Sequence, residues 1–168
     1  MQPDATRDAG PRLRLVDHIP PSTHATAGAP RRHPTSKVHR DGNLLYICGD
    51  VDGRIVFARI ARRWESLRLV VADGGRTGLH VAKKCRPRLV VLDSHQSDVD
   101  GAELVEHLRA RVLPCETPII VLAHDGDPRQ RARFVWAGAS AYHCKPLDVA
   151  AIDHTVATLL ELAGVLQP

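Results

Sequence analysis

Between residues 43 and 163, five short apolar runs alternate with five segments whose apolar residues recur at helical spacing. Short apolar runs are typical of buried strands, and spacings of three and four residues are typical of amphipathic helices. The strands are predicted at 44–47, 67–71, 89–92, 119–122 and 141–144, and the helices at 54–64, 77–85, 102–111, 128–137 and 147–162. This alternation predicts an α/β domain with a doubly wound, five-stranded parallel sheet. The runs ending at Leu92 and Leu122 are the most apolar and are predicted to be central.

The first 42 residues differ in composition from the rest of the chain. They contain seven Lys and Arg, four Asp, six of the twelve prolines and no aromatic residue. Such a segment cannot bury enough apolar surface to offset the entropy of ordering. Residues 1–42 are therefore predicted to form a disordered arm, residues 43–163 the folded domain, and residues 164–168 a C-terminal tail.

The net charge of +4 is unevenly distributed along the chain. The arm carries +3, whereas the remaining 126 residues have 16 basic and 15 acidic side chains. A nearly neutral domain gives no support for nucleic-acid binding, although the basic arm leaves that function open as an alternative. No apolar run reaches the roughly 18 residues of a membrane span, and no apolar signal segment begins the chain. The sequence thus predicts a cytoplasmic protein without a membrane partner.

The functional site of a doubly wound sheet lies beyond the carboxyl ends of its strands. The residues at these positions are Cys48, Gly49 and Asp50 after the first strand, Asp93, Ser94 and His95 after the third, Ala123 and His124 after the fourth, and Lys145 after the fifth. Because parallel strands end at the same edge of the sheet, we expect these residues to surround one pocket.

The strand ends resemble those of bacterial response-regulator receiver domains, the signalling modules of two-component phosphorelays. The resemblance covers residues 43–163 and rests on Leu89–Asp93, Asp98-Val-Asp100-Gly101, Ile119–Leu122, Ala137-Gly-Ala139 and Lys145-Pro146. It implies the flavodoxin-like (βα)5 receiver fold, with Asp93 as the phosphoacceptor, Lys145 as the pocket lysine and Tyr142 as the aromatic switch residue. It also implies a sensor histidine kinase or another signalling protein as the partner.

Three positions depart from the pattern of that family. The acidic pair that holds Mg²⁺ falls on Cys48 and Gly49, and the Ser or Thr that binds phosphoryl oxygens falls on Ala123. Mg²⁺ prefers hard oxygen ligands in octahedral geometry, so a thiol and a glycine are poor replacements. The pocket is therefore predicted to be degenerate, with Asp50 as its remaining nearby carboxylate and with weak or no affinity for Mg²⁺.

These departures predict an atypical, stand-alone receiver that acts through protein–protein contacts and is not an enzyme. Asp93 and Lys145 are expected to form a standing ion pair, because two carboxylates that would compete for Lys145 are missing. The alternative is a conventional receiver that a histidine kinase phosphorylates on Asp93, with Asp50 supplying the metal affinity. A hydrolase with Asp93 as nucleophile is a further alternative, but His95 stands where it would need a second acid.

The rim of the predicted pocket also carries possible ligands for softer metals. Cys48, His95 and His124 are residue types that suit zinc or another transition metal, whereas loop histidines are ordinarily solvated. No set of residues meets the pattern of a metal site, and Asp50, Asp93 and His95 are the individual candidates.

Aromatic residues on the fourth predicted helix have two interpretations. Phe134 and Trp136 either pack in the core or anchor a partner. The resemblance implies partner contacts through the face formed by helix four, strand five and helix five, and a homodimer would form through the same face. Asp100, just before the third helix, is predicted to be its N-cap.

Overall fold

The computed structural model describes residues 14–15, 42–48, 51–64 and 67–164. The strands in these residues are β1 (Arg14–Leu15), β2 (Gly42–Cys48), β3 (Leu67–Asp73), β4 (Leu89–Asp93), β5 (Ile119–Ala123) and β6 (Ala141–Cys144). The helices are α1 (Val51–Arg63), α2 (Gly75–Cys85), α3 (Gly101–Arg111), α4 (Pro128–Ala137) and α5 (Val149–Leu162).

The strands form one sheet in the order β1-β3-β2-β4-β5-β6. Strands β2 to β6 are parallel, and β1 pairs antiparallel with β3. The chain moves outward from β2 first in one direction and then in the other, as in flavodoxin-like doubly wound sheets. The predicted α/β class is confirmed, and β4 and β5 are interior strands as predicted.

Helices cover both faces of the sheet. One buried cluster lies between the sheet and helices α1 and α5, and the other lies between the sheet and helices α2, α3 and α4. Every residue of β4 and β5 is buried. Burial on both faces explains why these strands are unbroken apolar runs in the sequence, without the alternation of a half-exposed strand.

Carboxylate caps begin three of the helices. Asp100 accepts hydrogen bonds from backbone N–H groups of the first turn of α3, which confirms it as an N-cap, and Asp127 caps α4 in the same way. Asp148 caps α5, so this helix begins at Val149 and not at the predicted residue 147, because a capping residue is itself non-helical. Helix α4 ends at Ala137 and is capped by Gly138, whose φ of 104° favours glycine.

Strand β1 lies within the segment predicted to be a disordered arm. Arg14 and Leu15 pair with Val71 and Val70, adding a short sixth strand that the sequence pattern did not predict. Gly42, the first residue of β2, lies one residue before the predicted boundary at residue 43, and that boundary stays a prediction. The rest of the arm and residues 165–168 lie outside the described residues, and their predicted disorder stays a prediction.

Candidate functional site

Asp93 is the last residue of β4 and lies at the carboxyl edge of the sheet, between β2 and β5. Its side chain is almost completely buried, with 2% exposed. Lys145 follows β6 directly, and its backbone N–H donates to the carbonyl oxygen of Ala123 over 2.7 Å. This hydrogen bond continues the β5–β6 ladder by one residue and fixes where the lysine side chain begins.

Both carboxylate oxygens of Asp93 have a partner. The Nζ of Lys145 lies 3.1 Å from Oδ1, so the structure contains the ion pair that the sequence predicts. The hydroxyl of Tyr46 donates a hydrogen bond of 2.9 Å to Oδ2. A buried charge needs such partners, because removing either one leaves a desolvated group without compensation. We call Asp93, Lys145 and Tyr46 together the Asp93 triad.

Tyr46 is the functional residue that sequence reasoning missed, since it was treated as part of a buried apolar strand. It is fully buried in β2, and its ring lies 5.2 Å from that of Phe57 between centroids. Gly53 of α1 makes room for it, because a Cβ there would stand 1.9 Å from the tyrosine hydroxyl. A tyrosine in an otherwise aliphatic strand was the available signal, since a buried hydroxyl needs a hydrogen-bond partner.

The structure describes only in part the positions that the resemblance assigns to the metal ligands and the hydroxyl. Cys48 is the last residue of β2, but its side chain, and the whole of Gly49 and Asp50, lie outside the described residues. Ala123 ends β5, is buried, and presents only a methyl group. Within the described part of the chain, no three His, Cys, Asp or Glu side chains are grouped as a metal site.

At the carboxyl ends of the strands, the described residues offer Mg²⁺ one buried carboxylate, that of Asp93. This ion takes near-octahedral oxygen coordination, usually with one or two carboxylates. The one carboxylate described in the pocket, Asp93, is held by an ammonium group and a hydroxyl. A cation at Oδ1 of Asp93 would sit beside the ammonium group of Lys145, and like charges repel.

Gln96 closes one side of the pocket. Its Nε2 donates to the carbonyl oxygens of Asp93 and Ile47, over 3.0 and 3.3 Å respectively. The side chain thus joins the ends of β4 and β2 above the triad. No pattern in the sequence marks Gln96, because its role depends on the fold of the loop after β4.

The two rim histidines come together as predicted. The rings of His95 and His124 are both exposed and lie edge to face, with their centroids 6.2 Å apart. They border a cleft of about 480 Å³ that also involves Ser94, Arg133 and Tyr142. The third member of the predicted soft-metal set, Cys48, has no described side chain, so that site stays a prediction.

Tyr142 lies on β6 and is partly buried. Its hydroxyl donates to the carbonyl oxygen of Asp125 over 3.3 Å, and its ring is 5.9 Å from that of Phe134. Burial raises the pKa of the phenol, and the neighbouring Cys144 and Asp125 add to this effect. Phe134 is a core residue, whereas Trp136 on the same helix is 90% exposed, so the two aromatic residues of α4 have different roles.

Asp98 has a structural role in the loop after β4. Its two carboxylate oxygens accept from the backbone N–H groups of Gly75 and Arg76, over 2.8 and 2.9 Å, at the start of α2. Burial opposes ionisation of Asp98, but these two N–H groups outweigh it, and the pKa of the carboxyl is lowered. Asp98 therefore joins the loop beside the pocket to a neighbouring helix.

The fold and the site together define a class of protein. A flavodoxin-like sheet carries a buried aspartate at the end of its third parallel strand and a lysine directly after its fifth. The family profile of the response regulator receiver domain matches residues 50–157. The chain belongs to this family, whose members are the receiver modules of two-component signalling.

Individual relatives agree with this assignment. The chain is 26% identical over 123 residues to the regulatory protein AtoC of Escherichia coli, covering 73% of this chain and 26% of AtoC. It is 30% identical over 123 residues to the transcriptional regulatory protein PrrA of Mycobacterium tuberculosis, covering 72% of this chain and 51% of PrrA. The chain thus spans between about a quarter and about half of these two regulators.

Solved structures show the same fold. A CheY-like receiver domain protein from Methanospirillum hungatei superposes with a TM-score of 0.65 at 19% identity, covering 73% of this chain and 96% of that one. The chemotaxis response regulator CheY4 of Vibrio cholerae gives a TM-score of 0.64 at 21% identity, with 71% and 98% covered. Among the described residues, no helix has the length and apolar character needed to cross a membrane.

Proposed function

We propose that this chain is an atypical receiver that signals through protein–protein contacts, with weak or no Mg²⁺-dependent phosphorylation of Asp93. The observation that carries the proposal is the state of Asp93, whose two oxygens are held by the Lys145 ammonium group and the Tyr46 hydroxyl. In the unmodified pocket, Asp93 is thus already held by an ion pair at one carboxylate oxygen and by a hydrogen bond at the other. Tyr46 and Lys145 keep the domain in one conformation irrespective of phosphodonor.

Phosphorylation would have to overcome this arrangement. The attacking carboxylate oxygen must approach the phosphorus in line, with the developing negative charge neutralised by nearby cations. At about 4 Å and an effective dielectric constant near 20, each pair of like unit charges repels by about 4 kcal/mol. Lys145 is the cation described at Asp93, and Ala123 supplies no hydroxyl for the phosphoryl oxygens. Tyr46 would also have to give up its hydrogen bond to Asp93.

A signalling protein, such as a sensor histidine kinase, is the proposed partner. The exposed surface of α4 supports a role in protein contacts, because Trp136 and Val135 are 90% and 55% exposed. A large aromatic side chain in contact with water is a typical anchor of a protein interface. The face formed by α4, β6 and α5 is the proposed contact surface, either for this partner or for a second copy of the chain.

Phosphodonor labelling tests the proposal. The wild-type protein is incubated with acetyl phosphate and Mg²⁺ and its intact mass is measured, with Asp93→Asn as the negative control. The positive control is Tyr46→Phe combined with Cys48→Asp, Gly49→Asp and Ala123→Thr, which restores the family's acidic pair and hydroxyl. We expect a phosphoryl adduct on the positive control and little or none on the wild type. A wild-type adduct as extensive as that of the positive control, abolished by Asp93→Asn, would establish the conventional phosphoacceptor instead.

A further inference from the structure

Helix α2 presents a basic surface to solvent. Its exposed positions are Arg76, His80, Lys83 and Lys84. Its buried residues, among them Gly78, Val81 and Ala82, lie on the side that faces the sheet. From residue 74 to residue 92 the sequence has five Lys and Arg and no Asp or Glu. The near-neutral charge of the whole domain conceals this local excess of positive charge.

Five exposed basic residues lie on the chain segments that come together where α2 ends. They are Arg68 of β3, Lys83 and Lys84 of the last turn of α2, and Arg86 and Arg88 of the following loop. We call these five residues the α2 basic patch. None of them forms an ion pair with another described residue. Arg76 is not included, because it interacts electrostatically with Asp98 at the other end of the helix.

Backbone hydrogen bonds fix the position of the patch. The side chain of Asn43 donates to the carbonyl oxygen of Cys85 over 2.7 Å, and its own carbonyl accepts from Arg88 N–H over 2.8 Å. Asn43 also pairs in register with Arg68 on the adjacent strand. Arg86 ends the helix with a φ of 44°, and its N–H bonds to Ala82. The basic side chains therefore extend from a backbone that hydrogen bonds hold in place.

Helix electrostatics explain only part of the patch. Cations in the last turn of a helix interact favourably with its negative end, which accounts for Lys83 and Lys84. Arg68 and Arg88 lie outside the helix, so this explanation does not apply to them. Like charges gathered at one place repel one another, and an external anion would relieve that repulsion.

We propose that the α2 basic patch binds the phosphodiester backbone of a nucleic acid. The large exposed apolar residues of the described chain, Ile55, Val135, Trp136 and Leu162, lie on α1, α4 and α5, and none lies on the patch. A protein partner would need such anchors, and an inserting membrane surface would need apolar side chains among the basic ones. A polyanion with regularly spaced phosphates needs only positive charge for non-specific binding, and positive charge is what the patch offers.

The proposed binding is independent of the Asp93 pocket. The patch lies where α2 ends and β4 begins, whereas Asp93 lies where β4 ends. The patch thus lies at the amino ends of the parallel strands, and the Asp93 pocket lies at their carboxyl ends. Nucleic-acid binding goes beyond the proposed signalling function, and we expect it whether or not Asp93 is phosphorylated.

Fluorescence anisotropy with a labelled 20-base-pair DNA duplex and the full-length chain tests the proposal. If four patch residues neutralise phosphates, the slope of log K against log salt is about −3.6, or roughly tenfold weaker binding at 100 mM than at 50 mM salt. Replacing Lys83, Lys84, Arg86 and Arg88 by Gln is expected to remove most of that slope. The smaller variant Lys83→Gln with Lys84→Gln should remove about half of it, and circular dichroism checks that both variants fold.

The matched control is Arg129→Gln with Arg131→Gln, which removes two exposed charges from α4 and should keep wild-type binding. Absence of wild-type binding at 50 mM salt would overturn the proposal. It would also be overturned if the patch variants bound normally while Arg31→Gln with Arg32→Gln in the N-terminal arm abolished binding. Equal binding of a polyglutamate peptide, or of vesicles with anionic lipid, would assign the patch to a different class of partner.

Discussion

Replacing Tyr46 by Phe removes one hydroxyl from the centre of the domain. The hydroxyl donates over 2.9 Å to the carboxylate of a side chain that is 2% exposed, so neither group can bond to bulk water instead. Hydrogen bonds to charged groups contribute roughly 1.5–3 kcal/mol to stability. We therefore expect Tyr46→Phe to lower the free energy of unfolding by about 2 kcal/mol. Lys145 remains in place, which limits the loss to one partner of Asp93.

Urea denaturation measures this loss. With an m-value of about 2 kcal/mol/M, the midpoint should fall by about 1 M with little change in m. The control is Tyr142→Phe, which removes a hydroxyl with a longer bond of 3.3 Å to a carbonyl oxygen on the exposed loop. Its effect should stay within about 1 kcal/mol, because an ordinary hydrogen bond of this kind has a small net contribution.

A double-mutant cycle with Asp93→Ala separates the hydrogen bond from other effects of the substitution. In the Asp93→Ala background the tyrosine hydroxyl has lost this acceptor, so Tyr46→Phe should be neutral or stabilising there. The coupling energy between the two positions should then reach about 2 kcal/mol. A loss below about 0.5 kcal/mol in the wild-type background, with no measurable coupling, would refute the role assigned to Tyr46.

Three further predictions concern residues around the site and the frame that supports it. Gly53→Ala should destabilise the domain by roughly 1–3 kcal/mol, since its Cβ would stand 1.9 Å from the Tyr46 hydroxyl, and adding Tyr46→Phe should recover part of the loss in urea denaturation. Arg109→Ala should lower the free energy of unfolding by roughly 2–4 kcal/mol in the same assay. The half-buried guanidinium of Arg109 donates to the carbonyl oxygens of Thr117 and Gly138, and the substitution removes both donors. Arg111→Ala, on the exposed surface, is the control. Asp98 has a folded-state pKa below its ordinary 3.8, so its contribution is complete above that value and is lost as pH falls through the folded pKa. Asp98→Asn should therefore flatten the acid limb of stability against pH, and an unchanged limb would contradict this.

The patterning of the sequence was sufficient to predict the class of fold. Burial on both faces makes β4 and β5 unbroken apolar runs, and this property can be recognised in the sequence alone. Helix ends were less accurate, because α5 is capped by Asp148 and begins at Val149, two residues after its predicted start. Strand β1 could not be predicted, since a two-residue edge strand depends on pairing with β3 and not on its own apolar pattern.

The site was predicted in part. The positions of Asp93 and Lys145 follow from the strand ends, and their ion pair was expected from the charges missing around them. Tyr46 and Gln96 were not predicted, because their contacts with Asp93 join residues that are distant in sequence or lie in an irregular loop. The α2 basic patch was hidden by averaging charge over the domain, and it appears only when Arg68 and the loop after α2 are both placed beside Asn43 of β2.

The sequence by itself determined the order of strands and helices, the carboxylate and lysine of the pocket, and the absence of the family's acidic pair at Cys48 and Gly49. These are local properties, set by hydrophobic periodicity and by which residue type stands at a strand end. Only the tertiary structure decided that Tyr46 caps the second oxygen of Asp93, with Gly53 making room for its hydroxyl. That arrangement needs two strands and a helix packed together, and buried polar groups find their partners through packing rather than through sequence proximity.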